Sequence, residues 1–391
     1  MNGARARVVT ILLLSYITFA MFGTSLGVAI PDIMVELSID ELKAGILYSA
    51  NLWSSAALLA PAGYLADRFE RKSILLLGYL LVSLGVIGLS FSSTYFCTFA
   101  FLILSGVGGG ILGPTYYTLV GEILENVRGF AIGLAAGMFY IGGLIGSILV
   151  GFFVSLHQWR IAYLIVGVLI FCMFILQLIT LKLSSTTYSK PHLFFSNLLK
   201  TRNTAVCALG MFLGSVAIFA AAAWLPTFFL TVTQLEAIGA GLLLGLLFLA
   251  RAISTISIGA LSDKYGRKTL LMISGFAAAF VTLPLLLTYY TFYVAAAYVF
   301  AYGFLTSPYW NLFITISQES VSKEQVASAT GLTQTFGLIG GAVGPIVAGA
   351  LIPYVRLPLA LVFTMTTTTL AFGLLSLVIM EKRPKLIEER F

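Results

Sequence analysis

The stretch GYLADRFERK, residues 63–72, places five charges within ten positions, directly after a long apolar run that contains none. The stretch GALSDKYGRK, residues 259–268, repeats its Gly, Leu, Asp, Arg and Lys at a constant offset of 196 residues. A glycine-rich pattern that begins at Ala131 also recurs from Ala329, at an offset of 198 residues. Two matches at nearly the same period, close to half of the 391 residues, indicate two halves with the same internal order.

The composition is that of a membrane protein. Hydrophobic residues make up 59% of the chain and charged residues only 9%, whereas soluble domains carry about 25% charged residues. The apolar runs are continuous and approach the ~20 residues that a membrane helix needs, unlike the ~10-residue alternating strands of a barrel. The three cysteines lie in apolar runs, which predicts buried thiols and no disulfide framework. The predicted fold class is therefore an all-α membrane protein.

The apolar runs predict twelve transmembrane spans, arranged as two six-helix bundles related by pseudo-two-fold symmetry. The first bundle covers residues 1–183, a basic cytoplasmic linker covers 184–203, and the second bundle covers 204–391. The predicted spans are 8–30, 43–66, 73–91, 96–120, 129–154, 161–183, 206–231, 238–261, 269–288, 292–317, 327–353 and 358–380.

The distribution of basic residues predicts the orientation in the membrane. Of the 22 Lys and Arg residues, 18 fall on the side that holds both termini, 3 fall in the opposite loops, and Arg251 is the remaining one. Cytoplasmic loops carry the excess of Lys and Arg, so both termini are predicted to be cytoplasmic in a multi-pass protein of the plasma membrane. The net charge of +7 is a topology signal and an attraction to anionic lipid. Because the basic residues are scattered over separate loops, no nucleic-acid partner is expected.

The charged loop between spans two and three, its copy between spans eight and nine, and the long linker resemble the major facilitator superfamily over essentially the whole chain. The loop pattern G-x-L-x-D-[RK]-x-x-R-K is complete in both copies, although Glu70 stands where the second copy has Gly266. The resemblance implies a symporter or antiporter, not an enzyme, that moves a small-molecule substrate through the lipid bilayer by alternating access. It implies no cofactor and no metal, and a monomer is expected.

The same loops predict a gate at the cytoplasmic end. A carboxylate is favourable near a helix start, and Asp67 is expected close to the starts of spans five and eleven. The resemblance adds that the second arginine of the loop pairs with an acid at the inner end of span four, which matches Arg71 with Glu122 and, by the repeat, Arg267 with Glu319. These clusters are expected to favour the outward-open state; the alternative is that they only follow the positive-inside rule. The predicted gating residues are Asp67, Arg68, Arg71, Glu122, Asp263, Lys264, Arg267 and Glu319.

The glycines of spans five and eleven resemble the antiporter signature of drug-exporting members of the superfamily. The signature is better matched in span eleven. In span five, where drug-exporting members carry it, Ser147 and Val150 interrupt it. The alternative interpretation is close helix packing between the halves, because small residues let helices approach each other. The signature therefore supports export only weakly.

Arg251 is the one charge inside an apolar run. It lies twelve residues before Asp263, or roughly 18 Å from the inner end of span eight at 1.5 Å per residue. A charge at that depth costs at least about 2.5 to 3.5 kcal/mol, and all 15 acidic residues fall in loops or at span ends. An anionic ligand would neutralise it, and monocarboxylate carriers of the superfamily also keep an arginine in span eight, about one turn nearer the inner loop. The alternative is that Arg251 hydrogen-bonds the carbonyls left by Pro226 or Pro308 and braces helices.

The predicted function is therefore secondary active transport of a small organic anion. The alternative is a proton-coupled multidrug or metabolite exporter of the same fold, and ion coupling is left open between uniport, exchange and a proton site at Asp32 or an inner-end acid. A receptor built on a carrier scaffold would be expected to carry a longer signalling tail. The predicted substrate-binding residues are Arg251, Tyr16, Asn51, Tyr117, Trp224, Tyr309 and Asn311, with Trp53, Tyr116, Tyr140 and Trp310 as further mid-depth neighbours whose alternative role is packing.

Overall fold

The computed structural model describes residues 3–68, 70–123, 128–181, 201–287, 291–322 and 325–380, and within these ranges all regular elements are helices. A short 3-10 turn, Leu283–Leu286, follows the ninth helix. The helices are α1 Gly3–Leu37, α2 Glu41–Arg68, α3 Arg71–Phe91, α4 Tyr95–Ile123, α5 Arg128–Ser155, α6 Trp159–Thr180, α7 Arg202–Thr231, α8 Ala237–Tyr265, α9 Arg267–Thr282, α10 Phe292–Thr306, α11 Pro308–Glu319 and α12 Val326–Leu377.

These helices correspond to the twelve predicted spans, with two differences in how they are divided. Span ten is broken at Ser307 into α10 and α11, because Pro308 cannot continue a helix without losing a hydrogen bond. Spans eleven and twelve are joined in α12, where Arg356 interrupts the helix with φ 64° and ψ 157°. Nine helices in the described ranges are long and apolar enough to cross a membrane. The less apolar α2, the divided span ten and the double-length α12 account for the difference from twelve.

The glycine pattern packs equivalent helices in each half. A Cβ on Gly142 of α5 would lie 2.4 Å from the carbonyl oxygen of Ile17 in α1. In the second half, a Cβ on Gly340 of α12 would lie 2.1 Å from the carbonyl oxygen of Phe212 in α7. Only glycine allows backbones to approach this closely. These two glycines pack helices within each half, whereas Gly143, Gly151 and Gly349 of the same pattern lie against the other half. The predicted packing between the halves is therefore confirmed for part of the pattern.

The two halves meet at one end of the molecule. We call the end that holds the α2–α3 and α8–α9 connections the motif end. Near the other end, a Cβ on Gly151 of α5 would lie 2.8 Å from the Cα of Gly241 in α8, and one on Gly45 of α2 would lie 2.5 Å from the carbonyl oxygen of Pro345 in α12. Toward the motif end, Gly137 of α5 has no described atom within 4 Å of that position. The described parts of the halves are thus closely packed at the end opposite the motif end.

An ion pair ties three helices of the first half together at the same end. Glu36 of α1 accepts hydrogen bonds from Arg160 Nε at 3.0 Å, Arg160 Nη2 at 2.7 Å and Trp159 Nε1 at 2.7 Å. Arg160 Nη1 donates to the carbonyl oxygen of Ser90 at the end of α3, at 3.1 Å. Both Arg160 nitrogens bind Oε1 of Glu36, and Trp159 binds Oε2. Charge-assisted hydrogen bonds of this kind are the stronger ones, and they hold α1, α3 and α6 together.

The prediction of buried cysteines is correct for one residue. Cys207 is buried, whereas Cys97 of α4 and Cys172 of α6 are exposed on the surface of the described structure. Apolar side chains on a membrane helix can face lipid as well as protein, so an apolar run does not predict burial within the protein.

Candidate functional site

Arg251 is the central residue of α8, with fourteen residues on either side of it. Its side chain is 7% exposed, and Nε is buried without a hydrogen-bond partner. Among the residues that the structure describes, no carboxylate lies within 4.0 Å of the guanidinium and no group accepts a hydrogen bond from it. The predicted lone charge is therefore an unpaired charge within the described structure.

Three phenol groups lie within electrostatic range of this charge. Tyr48 of α2, Tyr302 of α10 and Tyr309 of α11 all lie close enough to Arg251 to interact with it electrostatically. A helical side chain leans toward the amino-terminal end of its own helix, so we expect the guanidinium to point away from the motif end. We call Arg251, Tyr48, Tyr302 and Tyr309 the Arg251 site. Tyr48 belongs to the first half and the other three residues belong to the second half.

The break in span ten is closed by side chains of α8. Because Pro308 has no N–H group, the carbonyl of Phe304 loses its helical partner. Ser254 Oγ donates to that carbonyl oxygen at 2.5 Å, and Ser307 Oγ donates to the carbonyl oxygen of Arg251 at 2.9 Å. The carbonyl that the bracing alternative assigned to Arg251 is thus hydrogen-bonded to Ser254. These two bonds also hold α8 against α10 and α11 next to Arg251.

The carbonyl left by the other proline, Pro226, is not bound by Arg251 either. It belongs to Ala222 and lies where α7 meets α1, 2.0 Å from the position that a Cβ on Gly27 would take. No described hydrogen bond links it to the guanidinium. The described contacts therefore give no support to a bracing role for Arg251.

Two of the predicted binding residues form a tyrosine cluster in the first half. The hydroxyl of Tyr16 donates to that of Tyr117 at 3.3 Å, and the ring of Tyr16 stacks on Tyr116 with centroids 4.0 Å apart. Tyr140 of α5 interacts electrostatically with both Tyr117 and Tyr309. The cluster therefore adjoins the Arg251 site through Tyr140.

Three other predicted binding residues have contacts elsewhere. Asn51 Nδ2 donates to Ser105 Oγ at 2.9 Å, which joins α2 to α4. Trp224 is 1% exposed, and its Nε1 donates to the carbonyl oxygen of Pro345 at 3.0 Å. Asn311 is partly buried on α11. The bonds of Asn51 and Trp224 hold helices together, whereas the described bond of Asn311, accepted by its carbonyl oxygen from Thr315 Oγ1, lies within α11. None of these bonds includes the Arg251 site.

Sequence reasoning missed Tyr48 and Tyr302. The predicted residues lie at the depth of the Arg251 backbone, whereas a long helical side chain is expected to carry its charge toward the start of its helix. Tyr48 lies one turn before Asn51 and nearer the end of α2 that meets the second half. The direction in which helical side chains lean is the signal that points to these two tyrosines.

At the motif end, the ion pair that the repeat predicted between Arg267 and Glu319 is present. Both partners belong to the second half and both are partly exposed. Lys268 Nζ donates to the carbonyl oxygens of Leu377 and Ile379 at 2.8 and 3.0 Å, which caps α12. The pairing of Arg267 is confirmed, but its gating role stays a prediction. The side chains of Asp67, Arg68, Glu122 and Asp263 lie outside the described residues, so the roles predicted for them, for Arg71 and for Lys264 also stay predictions.

Asp32, an acidic residue, lies near the end of α1. Asp32 Oδ2 is buried without a hydrogen-bond partner and lies 3.7 Å from His157 Nδ1. The side chain of His157 is 88% exposed. Glu36, one turn further along α1, is bound by Arg160 and Trp159 instead. Asp32 is the described acid with a buried and unpartnered oxygen.

Comparison with known proteins places the chain among transporters. The family model described as Major Facilitator Superfamily matches residues 12–345 and, in a second match, residues 237–390. The benzoate transport protein of Acinetobacter baylyi is 32% identical over 150 residues, which are 36% of this chain and 32% of that protein. The multi-drug resistance efflux pump PmrA of Streptococcus pneumoniae is 25% identical over 78% of both chains. A solved bacterial homolog of the human lysosomal transporter Spinster, in an inward-facing and occupied conformation, superposes with a TM-score of 0.78 at 17% identity over 97% of this chain and 96% of that one.

Proposed function

The chain belongs to the major facilitator superfamily, and on that premise we propose that it is a secondary active transporter of a small organic anion. The superfamily consists of membrane transporters and not of enzymes, and the chain is a multi-pass membrane protein. We propose that it acts as a monomer in the plasma membrane, with both termini and the motif end facing the cytoplasm. The observation that carries the proposal is the unpaired guanidinium of Arg251.

The charge of Arg251 determines the class of substrate. Arginine stays protonated in proteins, and a charge near the bilayer centre costs about 2.5 to 3.5 kcal/mol on insertion scales. A bound anion offsets that cost. The neighbouring phenols are hydrogen-bond donors with flat apolar rings, and the Arg251 site has one positive charge. This combination favours a monocarboxylate with an aromatic or other flat body, and the name of the benzoate relative supports that class.

The Arg251 site also supports alternating access. Tyr48 comes from the first half, whereas Arg251, Tyr302 and Tyr309 come from the second. When one half rotates against the other, Tyr48 moves relative to Arg251, so a ligand between them is sensitive to the position of both halves. The close packing near Gly151 and Gly241 corresponds to a state that is closed at the end opposite the motif end.

Uptake into proteoliposomes tests the substrate class. We expect accumulation of labelled benzoate, and Arg251→Gln should reduce it at least ~100-fold because the charge and its hydrogen bonds are lost. Arg251→Lys should retain partial uptake, because lysine keeps the charge but not the planar bidentate geometry. The control is Lys43→Gln, which removes a cation from an exposed pair with Asp40 and should leave uptake unchanged. Benzoate uptake that survives Arg251→Gln would contradict the proposal.

The alternative of a proton-coupled exporter is favoured by one observation, the buried and unpartnered oxygen of Asp32 beside His157. The efflux-pump relative supports the same alternative. The same proteoliposomes distinguish the two functions when a cationic dye replaces benzoate under an imposed pH gradient. Dye export that Asp32→Asn abolishes and Arg251→Gln leaves intact would identify an exporter.

A further inference from the structure

Two polar atoms of the Arg251 site are buried and have no hydrogen-bond partner among the described residues. They are Arg251 Nε and the hydroxyl oxygen of Tyr302, on side chains that are 7% and 1% exposed. The hydroxyl of the third second-half residue, Tyr309, shares a hydrogen bond with Ser215 Oγ at 3.0 Å. Buried polar groups in folded proteins almost always have partners. The two unpartnered groups of the site are both able to donate, so what they lack is an acceptor.

The second half holds these two donors in place without help from the first half. Ser254 Oγ donates to the carbonyl of Phe304 at 2.5 Å, and Ser307 Oγ donates to the carbonyl of Arg251 at 2.9 Å. Both bonds join α8 to the broken span ten close to Arg251 and Tyr302. The guanidinium and the phenol therefore keep their relative position whichever way the halves rotate. Donors that are positioned before the ligand arrives lose little entropy on binding.

We propose that Tyr302 is a substrate-binding residue whose hydroxyl donates to the same carboxylate that Arg251 binds. This inference rests on the proposed function and extends it to a second named contact. A carboxylate has two oxygen atoms that only accept hydrogen bonds, so one group satisfies both the guanidinium and the phenol. Charge-assisted hydrogen bonds are the stronger kind.

The pair of donors also predicts that the site selects acids over their amides. The amide of the same molecule presents one acceptor oxygen and an NH₂ group, which is a donor. When Arg251 and Tyr302 each bind a different oxygen of the carboxylate, the NH₂ group of the amide takes the place of one of these oxygens, and the donor that faces it stays unpaired. Sites that leave their own polar groups unpaired with a competitor discriminate strongly against it.

Tyr302→Phe tests the inference because it removes only the hydroxyl. The full-length protein is purified, binding of labelled benzoate is measured, and unlabelled benzamide is used as a competitor. We expect the Kd for benzoate to rise roughly 10-fold or more, as for the loss of a hydrogen bond to a charged group. The preference for benzoate over benzamide should fall by a similar factor. A purely structural defect would instead lower the affinity for both compounds equally.

The matched control is Tyr298→Phe, one turn earlier on α10. Its ring stacks on that of Tyr302 with centroids 6.2 Å apart, and the substitution is chemically the same. If the effect of Tyr302→Phe comes from its own hydroxyl and not from the packing of α10, Tyr298→Phe should change the Kd for benzoate by less than about twofold.

The possible results separate this inference from the proposed function. Loss of benzoate binding in Arg251→Gln together with unchanged binding in Tyr302→Phe would overturn the role of Tyr302 and leave the organic-anion proposal standing. An equal loss of benzoate and benzamide affinity in Tyr302→Phe would also overturn it, since that result indicates a packing role. Wild-type protein that binds neither benzoate nor acetate would overturn both proposals.

Discussion

At the scale of single residues, the proposed function depends on a charge that has no partner among the described residues. An arginine that braced helices would donate to the carbonyls exposed by nearby prolines. The carbonyl opposite Pro308 accepts from Ser254 instead, and the guanidinium of Arg251 has no described acceptor. Removing one partner of a buried pair is strongly destabilising, whereas replacing an unneeded buried ion with an apolar group is often neutral or stabilising.

The first prediction follows from that contrast and concerns Arg251→Met in the ligand-free protein. Because methionine removes the unpaired charge and keeps most of the volume, we expect the unfolding free energy to rise by about 1 to 3 kcal/mol. At a benzoate concentration of 100 times Kd, the unfolding free energy of the wild type should rise by about 2.7 kcal/mol. The unfolding free energy of the variant should not change with benzoate. Thermal unfolding in detergent, followed by intrinsic fluorescence with and without benzoate, measures both effects. A variant that is less stable than the ligand-free wild type would indicate that Arg251 braces helices after all.

At the scale of secondary-structure elements, the site depends on how α8 closes the break in span ten. A free carbonyl within lipid is costly, and the hydroxyl of Ser254 removes that cost at Phe304. The same contact sets the distance between α8, which carries Arg251, and α10, which carries Tyr302. The geometry of the site thus follows from the hydrogen bond by which Ser254 satisfies the carbonyl that Pro308 leaves without a helical partner.

Ser254→Ala is the prediction at this scale. Loss of the hydroxyl leaves the carbonyl of Phe304 unpaired, so we expect a loss of about 1 to 3 kcal/mol in stability and weaker benzoate binding. The control is Ser257→Ala on the same helix, because Ser257 Oγ donates at 2.9 Å to Ile253, a carbonyl of its own helix. The unfolding free energy of Ser257→Ala should stay within about 0.5 kcal/mol of the wild-type value. Equal effects of the two substitutions, in unfolding and in benzoate titrations, would show that the bond to Phe304 has no special role.

At the scale of the whole molecule, the described halves are closely packed at one end. The crossing of α5 and α8 depends on two glycines, because a Cβ on Gly241 would lie 2.6 Å from the carbonyl oxygen of Ser147 and 2.8 Å from the Cα of Gly151. A larger side chain cannot enter that crossing without moving a backbone. The crossing therefore holds this end closed.

Gly241→Val should shift the protein toward a state that is open at the end opposite the motif end. A cysteine in place of Leu144, whose side chain packs near Gly245 across the same crossing, reports on the change in a version without native cysteines. We expect a membrane-impermeant maleimide to label it about 10-fold faster, for a shift of about 1.4 kcal/mol, and benzoate uptake to fall. The control is Gly137→Val on α5, where no described atom lies within 4 Å of the new Cβ. Unchanged labelling in Gly241→Val would mean that this crossing does not control access.

Much of the fold is predictable from local patterns. Bilayer thickness sets the length of each apolar run, and the repeat of the charged loop defines two halves, so the twelve spans correspond to the observed helices. The Arg267–Glu319 pair follows from the repeat, whereas span ten, predicted as one helix, is broken at Pro308. The packing of the halves at one end is not predictable in this way, because glycines such as Gly142 and Gly151 look alike in sequence and contact different partners.

Because hydrophobicity and charge act locally along the chain, the sequence by itself determined a helical membrane protein of two similar halves with one charge inside an apolar run. The charged-loop motif added the resemblance to a family of transporters. Only the tertiary structure decided what surrounds that charge. Tyr48 and Tyr302 lie beside Arg251, while Asn51 and Trp224 are hydrogen-bonded within their own halves. The physical reason is that side-chain direction and helix crossings bring together residues that are far apart in the chain, and neither is encoded in a single apolar run.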